Sequence, residues 1–168
     1  MEIGESFVGT GPNAASVSTV LGDRDGSVGA AWVAALATPT AGHAPFVAVL
    51  QRGLAVKPST LVVNKARIDG TGHARMNWGP VQAGVAAGVA DTVAGGMLTE
   101  AEAEQQVLIV AVFVDPAADD ADALFANHRE AVRSAIVIGR GQLPAARDAA
   151  SKRNEAWNPF YRPTPPTP

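Results

Sequence analysis

The apolar positions of this chain fall into two kinds of pattern: short β-branched runs, and longer stretches where apolar residues recur every three or four positions. Ser16–Leu21 (SVSTVL) has β-branched residues near alternate positions and predicts a strand. The GDRDG cluster at 22–26 predicts a turn. Ser27 is placed to cap a short helix containing Ala30, Ala31, Trp32 and Leu36, which Pro39 and Gly42 end. Phe46–Leu50 predicts a buried strand. Thr60–Ile68 predicts another, interrupted by the polar pair Asn64-Lys65.

The strongest helical signal follows Gly79-Pro80, because proline suits a first helical turn. Val81, Val85, Val89 and Val93 form one apolar row. Gly84 and Gly88 lie on an adjacent row, where another element could approach closely. Gly95-Gly96 ends that helix. Thr99 and Glu102 have capping-box spacing for a short helix. The uninterrupted run Val107–Val114 then predicts the central strand. Asp119 or Asp120 caps a long helix reaching about Ile138, with Leu124, Phe125, His128, Val132, Ala135 and Ile136 on one face and Gly139 and Gly141 as stops. Pro144–Ala156 predicts a further polar helix, and residues 162–168 (RPTPPTP) a Pro-rich tail. These elements predict an α/β (α+β) sandwich in one domain over 1–161: a mixed sheet of four or five strands with helices mainly on one face.

Composition narrows the chemistry. The 168 residues carry a net charge of −3, against the basic footprint of non-specific nucleic-acid binding. There are no cysteines, which removes disulfides, thiolate metal sites and cysteine nucleophiles. His43, His73 and His128 show no metal-ligand spacing, so no metal site is expected. No basic segment followed by an apolar run opens the chain, and no apolar stretch reaches the roughly 18 residues of a membrane span. The expectation is a cytoplasmic protein. Asp119, Asp120 and Asp122 suit a helix N-terminus better than a magnesium site. Gly9-Thr10-Gly11-Pro12 is too short for a phosphate loop, and His128 reads as a core or interface histidine.

Two polar insertions remain. A lysine at position 65 of an apolar strand needs water, a carboxylate or an anionic ligand for its ammonium. Pattern alone also allows an edge strand with Lys65 facing solvent. Gln82 follows Gly79-Pro80 among free backbone N–H groups, where it could read a planar amide or a ligand carbonyl, or simply be solvated.

Several segments, taken together and in order, resemble the formaldehyde-activating enzyme family. They are GESFVGTGPNAA (4–15), the turn around Gly22, KPSTLVVNKARI (57–68), GPVQAGVAAGVADTVAGGML (79–98), VLIVAVFVDPAADDA (107–121) and KRNEAWNPF (152–160). The resemblance implies a single β-α-β domain, a homopentamer with sites between subunits, and a hydro-lyase activity. That activity condenses formaldehyde with tetrahydromethanopterin, through a carbinolamine and an iminium, with loss of water. No tightly bound cofactor is implied. Tetrahydromethanopterin or another reduced pterin would be the co-substrate.

The resemblance matches the family's binding lysine to Lys65 and its binding glutamine to Gln82. A pocket leucine falls at Val47, and a binding threonine at Arg67. The family's catalytic histidine falls at Ser16, and its pterin-binding aspartate at Ser18. Alternation puts both serines on one face of a strand. A serine hydroxyl is a poor acid near neutrality, and general acid catalysis contributes roughly 10²–10⁴-fold. His43 or His73 could supply the proton instead, or water could. Arg67 would favour an anionic group on the ligand. Two readings follow: a divergent enzyme acting on a one-carbon adduct of a reduced pterin or related amine, or a non-catalytic binding or regulatory relative on the same oligomer.

Overall fold

The residues predicted as strands assemble, with one strand the pattern missed, into a five-stranded mixed sheet. A computed structural model describes residues 1–141 and 144–164. The chain runs β1 (Glu2–Val8), β2 (Ala15–Asp23), α1 (Ser27–Ala37), β3 (Phe46–Val47), β4 (Val49–Gln51), β5 (Leu54–Ala55) and β6 (Ser59–Asn64). It continues through α2 (Gly70–Met76), a π-helical segment (Asn77–Val81), α3 (Gln82–Ala94), α4 (Glu100–Gln105), β7 (Gln106–Phe113), α5 (Ala121–Gly141) and α6 (Ala146–Ser151). The sheet order is β1-β2-β7-β6-β3, so the apolar run predicted as central is central. β6 and β7 are parallel, which requires a crossover; α2, α3 and α4 supply it and make the β-α-β unit. All other pairs are antiparallel.

Alternation sorts the sheet into two faces. Ala15, Val17, Thr19 and Leu21 of β2 are buried beneath α3 and α5, as are Val110 and Val112 of β7 and Val62 of β6. The other face carries Ser16, Ser18 and Val20, with their cross-strand neighbours Ile3, Glu5, Phe7, Ile109, Ala111 and Phe113. α1 covers one end of it: a Cβ at Gly22 would meet the Val28 side chain at 2.6 Å. The rest is half-buried or open.

The helix layer is pulled tight by glycine. A Cβ at Gly84 would lie 2.5 Å from the Phe125 carbonyl oxygen, and one at Gly88 2.4 Å from that of Arg129, so the backbones of α3 and α5 touch. Asp120 caps α5 by accepting from the N–H groups of Asp122 and Ala123, each at 3.0 Å. The Thr99–Glu102 capping box forms at α4 as its spacing predicts.

Several predicted boundaries move, each for a local reason. Helix begins at Gly70, not at Pro80. Pro80 lacks an N–H, and the backbone there widens into the π segment, with the Gln82 N–H reaching back to Asn77. The strand predicted to reach Ile68 ends at Asn64, whose Nδ2 donates to the carbonyls of Gly42 (2.8 Å) and Ala66 (2.6 Å) and folds the chain out of the sheet. Phe46–Leu50 is no continuous buried strand: β3 pairs with β6, Ala48 donates to the Thr60 carbonyl and accepts from the Val56 N–H, and β4 then pairs with β5 with a register shift between Val49 and Gln51. Gly26, not Ser27, caps α1. Gly139 does not stop α5, because it serves close approach: a Cβ there would meet the Gly4 nitrogen at 3.0 Å. The polar helix shrinks to Ala146–Ser151. Phe160 then lays its ring edge-on to Phe7, with centroids 5.6 Å apart. Residues 165–168 of the Pro-rich tail lie outside the described residues.

Candidate functional site

β2 and the end of β6 flank β7, so side chains from both strands can meet across its open face. Ser18 lies on that face, in register with Glu5 of β1 and Ala111 of β7. Lys65 is the first residue after β6, and its N–H still donates to the Val112 carbonyl at 2.7 Å. Its Nζ reaches across β7 and donates to Ser18 Oγ at 2.9 Å. Ser16 is half-buried two residues earlier on the same face, between Phe7 and Phe113 in register. Val47 pairs with Leu61 and belongs to this face at the far edge.

The electrostatics of the lysine are unusual for an exposed residue. Loss of hydration against the sheet lowers its pKa from the ordinary lysine value, and the carboxylate of Glu5 opposes that shift. Glu5 is the contributor that sequence reasoning missed. Its signal was the alternation Ile3-Glu5-Phe7 in β1, masked because the opposite face of that strand carries Glu2, Gly4 and Ser6 and turns apolar only at Val8.

Gln82 does not join this cluster within one copy. Its Nε2 donates to the Val49 carbonyl at 2.7 Å. It lines a cleft of about 400 Å³ with Ala44, Pro45, Phe46 and Trp78. Phe46, the in-register partner of Val62, marks this as the helix side of the sheet. Arg67 is exposed beyond the bend made by Asn64 and lines a separate cavity with Ile68, Asp69, Gly70 and Pro116. Its stem passes so close to Gly42 (φ +80°) that a Cβ there would meet Arg67 Cγ at 2.3 Å. Among the described residues, no carboxylate lies within ion-pair distance of its guanidinium.

The two histidines considered as replacement acids differ. His73 is buried, with Nδ1 accepting from the Asp69 N–H and Nε2 donating to the Val114 carbonyl, each at 3.0 Å. Both nitrogens are committed to joining α2 to the end of β7, which removes His73 as a proton source for the open face. His43 uses only Nδ1, 3.0 Å from the Asn64 carbonyl. As a carbonyl can only accept, Nδ1 carries the hydrogen and Nε2 is left as the free nitrogen.

Among the described residues, no group of three or more His, Asp or Glu side chains is arranged to hold a metal ion. No described helix is long and apolar enough to cross a membrane.

The sequence is similar to known proteins over most of this chain. The formaldehyde-activating enzyme (Fae) family matches residues 3–161. A 5,6,7,8-tetrahydromethanopterin hydro-lyase of Methanosarcina barkeri is 40% identical over 158 residues, covering 94% of this chain and 89% of that protein. A bifunctional enzyme Fae/Hps of Methanothrix thermoacetophila is 38% identical over 134 residues, which is 80% of this chain but 34% of that protein. The M. barkeri bifunctional enzyme Fae/Hps is 32% identical, over 95% of this chain and 44% of its own length. The chain thus spans less than half of these bifunctional relatives and nearly all of the single-function one. A family match across almost every described element, with a relative so similar over nearly its full length, establishes that this chain belongs to the formaldehyde-activating enzyme family.

Proposed function

We propose that this protein condenses formaldehyde with an amine-bearing co-substrate, a reduced pterin such as tetrahydromethanopterin or a related amine, with loss of water. The observation that carries the reading is the Lys65–Ser18 pair on the open sheet face, at two positions that the family resemblance assigns to ligand binding. The methanogen relative named as a tetrahydromethanopterin hydro-lyase supports the reaction class.

The site is an altered one. Ser16 and Ser18 stand where the family resemblance places an acid and an aspartate, so proton delivery falls to water or to His43. The contribution of the pocket is then chiefly to hold the amine and the one-carbon unit together. Arg67, whose guanidinium has no carboxylate within ion-pair distance among the described residues and whose stem is set against Gly42, suits a carboxylate or phosphate on the co-substrate.

The working form in this reading is a homo-oligomer, a pentamer by resemblance. Gln82 and the Lys65–Ser18 pair lie on different sides of the sheet, so a neighbouring copy would bring its own Gln82 to the open face. Exposed apolar side chains on and beside that face, among them Ile3, Val33 and Leu36, support a covering partner.

The test is formaldehyde loss with tetrahydromethanopterin, against buffer and an active family member. A rate above buffer supports catalysis; a rate equal to buffer overturns it. The second reading, a non-catalytic relative, rests on the paired serines. It is separated by the Ser16→His/Ser18→Asp double variant. If only that variant is active, the pocket is intact and the serines account for the loss.

A further inference from the structure

We infer that Lys65 is a catalytic residue that takes up formaldehyde covalently on Nζ, as a methylene iminium, and passes the carbon to the acceptor amine. This rests on the reading of formaldehyde as the one-carbon donor.

The chain has three lysines. Lys57 is paired with Glu104 and Lys152 with Glu155, each at 2.8 Å. Lys65 is different. Its hydrogen-bond partner is the neutral Ser18 hydroxyl, and no carboxylate lies within ion-pair distance among the described residues. Partial loss of hydration lowers its pKa, which favours the free amine that an aldehyde needs. With one N–H donated to Ser18 Oγ, the Nζ lone pair can face a small electrophile over Ala111 on the open sheet. Glu5, in register with Ser18, lies close enough to affect Lys65 without pairing with it, and it favours a cation forming at Nζ.

The chemistry balances without a redox partner. The Nζ lone pair attacks the formaldehyde carbon, and one Nζ proton passes to the oxygen, giving a carbinolamine. That hydroxyl leaves as water with a proton from solvent, and the nitrogen lone pair forms the C=N bond of the iminium. The acceptor amine attacks the methylene carbon, a proton moves from the acceptor nitrogen to Nζ, and the carbon–Nζ bond breaks. Lys65 is regenerated, and the carbon leaves as an iminium on the acceptor, which a second acceptor nitrogen can close upon. A carboxylate at position 18 would hold the lysine protonated. The serine there, which is the chain's departure from the family pattern, leaves it available.

Reductive trapping tests this without any pterin. The purified full chain is treated briefly with limiting formaldehyde and cyanoborohydride at neutral pH, and methylation at each lysine is quantified by peptide mass spectrometry. Lys65 should be methylated several-fold faster than Lys57 and Lys152, and Ser18→Asp should bring it down to their rate. In the condensation assay, Lys65→Arg, which keeps the charge but cannot form the adduct, should lose the enzymatic rate. Equal labelling of all three lysines overturns the proposal. So does a Lys65→Arg variant that condenses formaldehyde at the wild-type rate, an outcome that leaves the proposed overall reaction standing. Selective Lys65 labelling in a protein that does not turn over tetrahydromethanopterin supports the adduct and instead removes the pterin from the reading.

Discussion

At the scale of single residues, the protein holds two bases in contrasting settings, one exposed and one buried. Lys65 gives its Nζ hydrogen to Ser18 and keeps a lowered pKa at the edge of solvent. His128 is fully buried in α5, donates Nδ1–H to the Leu124 carbonyl at 2.8 Å, and leaves Nε2 buried with no hydrogen-bond partner among the described residues. Burial pushes the His128 pKa down to about 4, against a smaller opposing effect of its bond to Leu124. The unfolded chain binds this proton near pH 6.5, whereas the folded chain refuses it until about pH 4. Stability from neutral His128 is therefore complete above pH 6.5 and is lost progressively as pH falls to 4, by an amount on the order of 3 kcal/mol. Urea unfolding at several pH values should show this slope in the wild type and a flatter one in His128→Gln. The same slope in both proteins would assign it to other groups.

Legibility at this scale followed sequence distance. His128 could be recognised as a core histidine because its place on an apolar helical stripe is a local property. Lys65 could be singled out as anomalous, but its partner could not be found from strand pattern, since Ser18 is 47 residues away and meets it across β7. The His73 reading failed for a related reason. No pattern shows that both its nitrogens are used by the backbones of Asp69 and Val114.

At the scale of elements, the most informative feature is how β6 ends. Asn64 is buried, and its two hydrogen bonds to Gly42 and Ala66 turn the chain just before Lys65. Asn64→Ala leaves two carbonyls without that partner and should cost about 2–3 kcal/mol. It should also reduce activity by moving Lys65, although Asn64 touches no substrate. A normal rate in a folded Asn64→Ala variant would show that Lys65 is placed without this bend.

The helix pair makes a second test. Gly88→Leu would drive a side chain into the backbone of Arg129 and should lower stability by at least about 2 kcal/mol in thermal unfolding. Here the sequence was a good guide, because valines four apart with glycines beside them are local signatures of a tightly packed helix. It misled at Pro80, where tertiary packing carries a helix through the proline by widening one turn. It also gave no notice of β1, whose helix side is apolar only at Val8, after Glu2, Gly4 and Ser6.

At the scale of the whole molecule, one face of the sheet is sealed by α3 and α5, and the other carries the Lys65–Ser18 pair in a setting of apolar side chains only partly covered by α1. Under the proposed function, further copies complete that face. Light scattering after size exclusion should return a homo-oligomer, and a monomer at micromolar concentration would contradict it. The overall α/β plan was readable from the order of elements, and the β-α-β unit was implied by the family resemblance. The division of site residues between two sides of the sheet was not, because it depends on register. The central claim is that Lys65 works on formaldehyde at this face. The most direct measurement is formaldehyde consumption with tetrahydromethanopterin by the wild type and Lys65→Ala, compared with buffer. The account predicts a wild-type rate above buffer that falls to the buffer rate in the variant. A wild-type rate no faster than buffer, or an unchanged rate in Lys65→Ala, would contradict it.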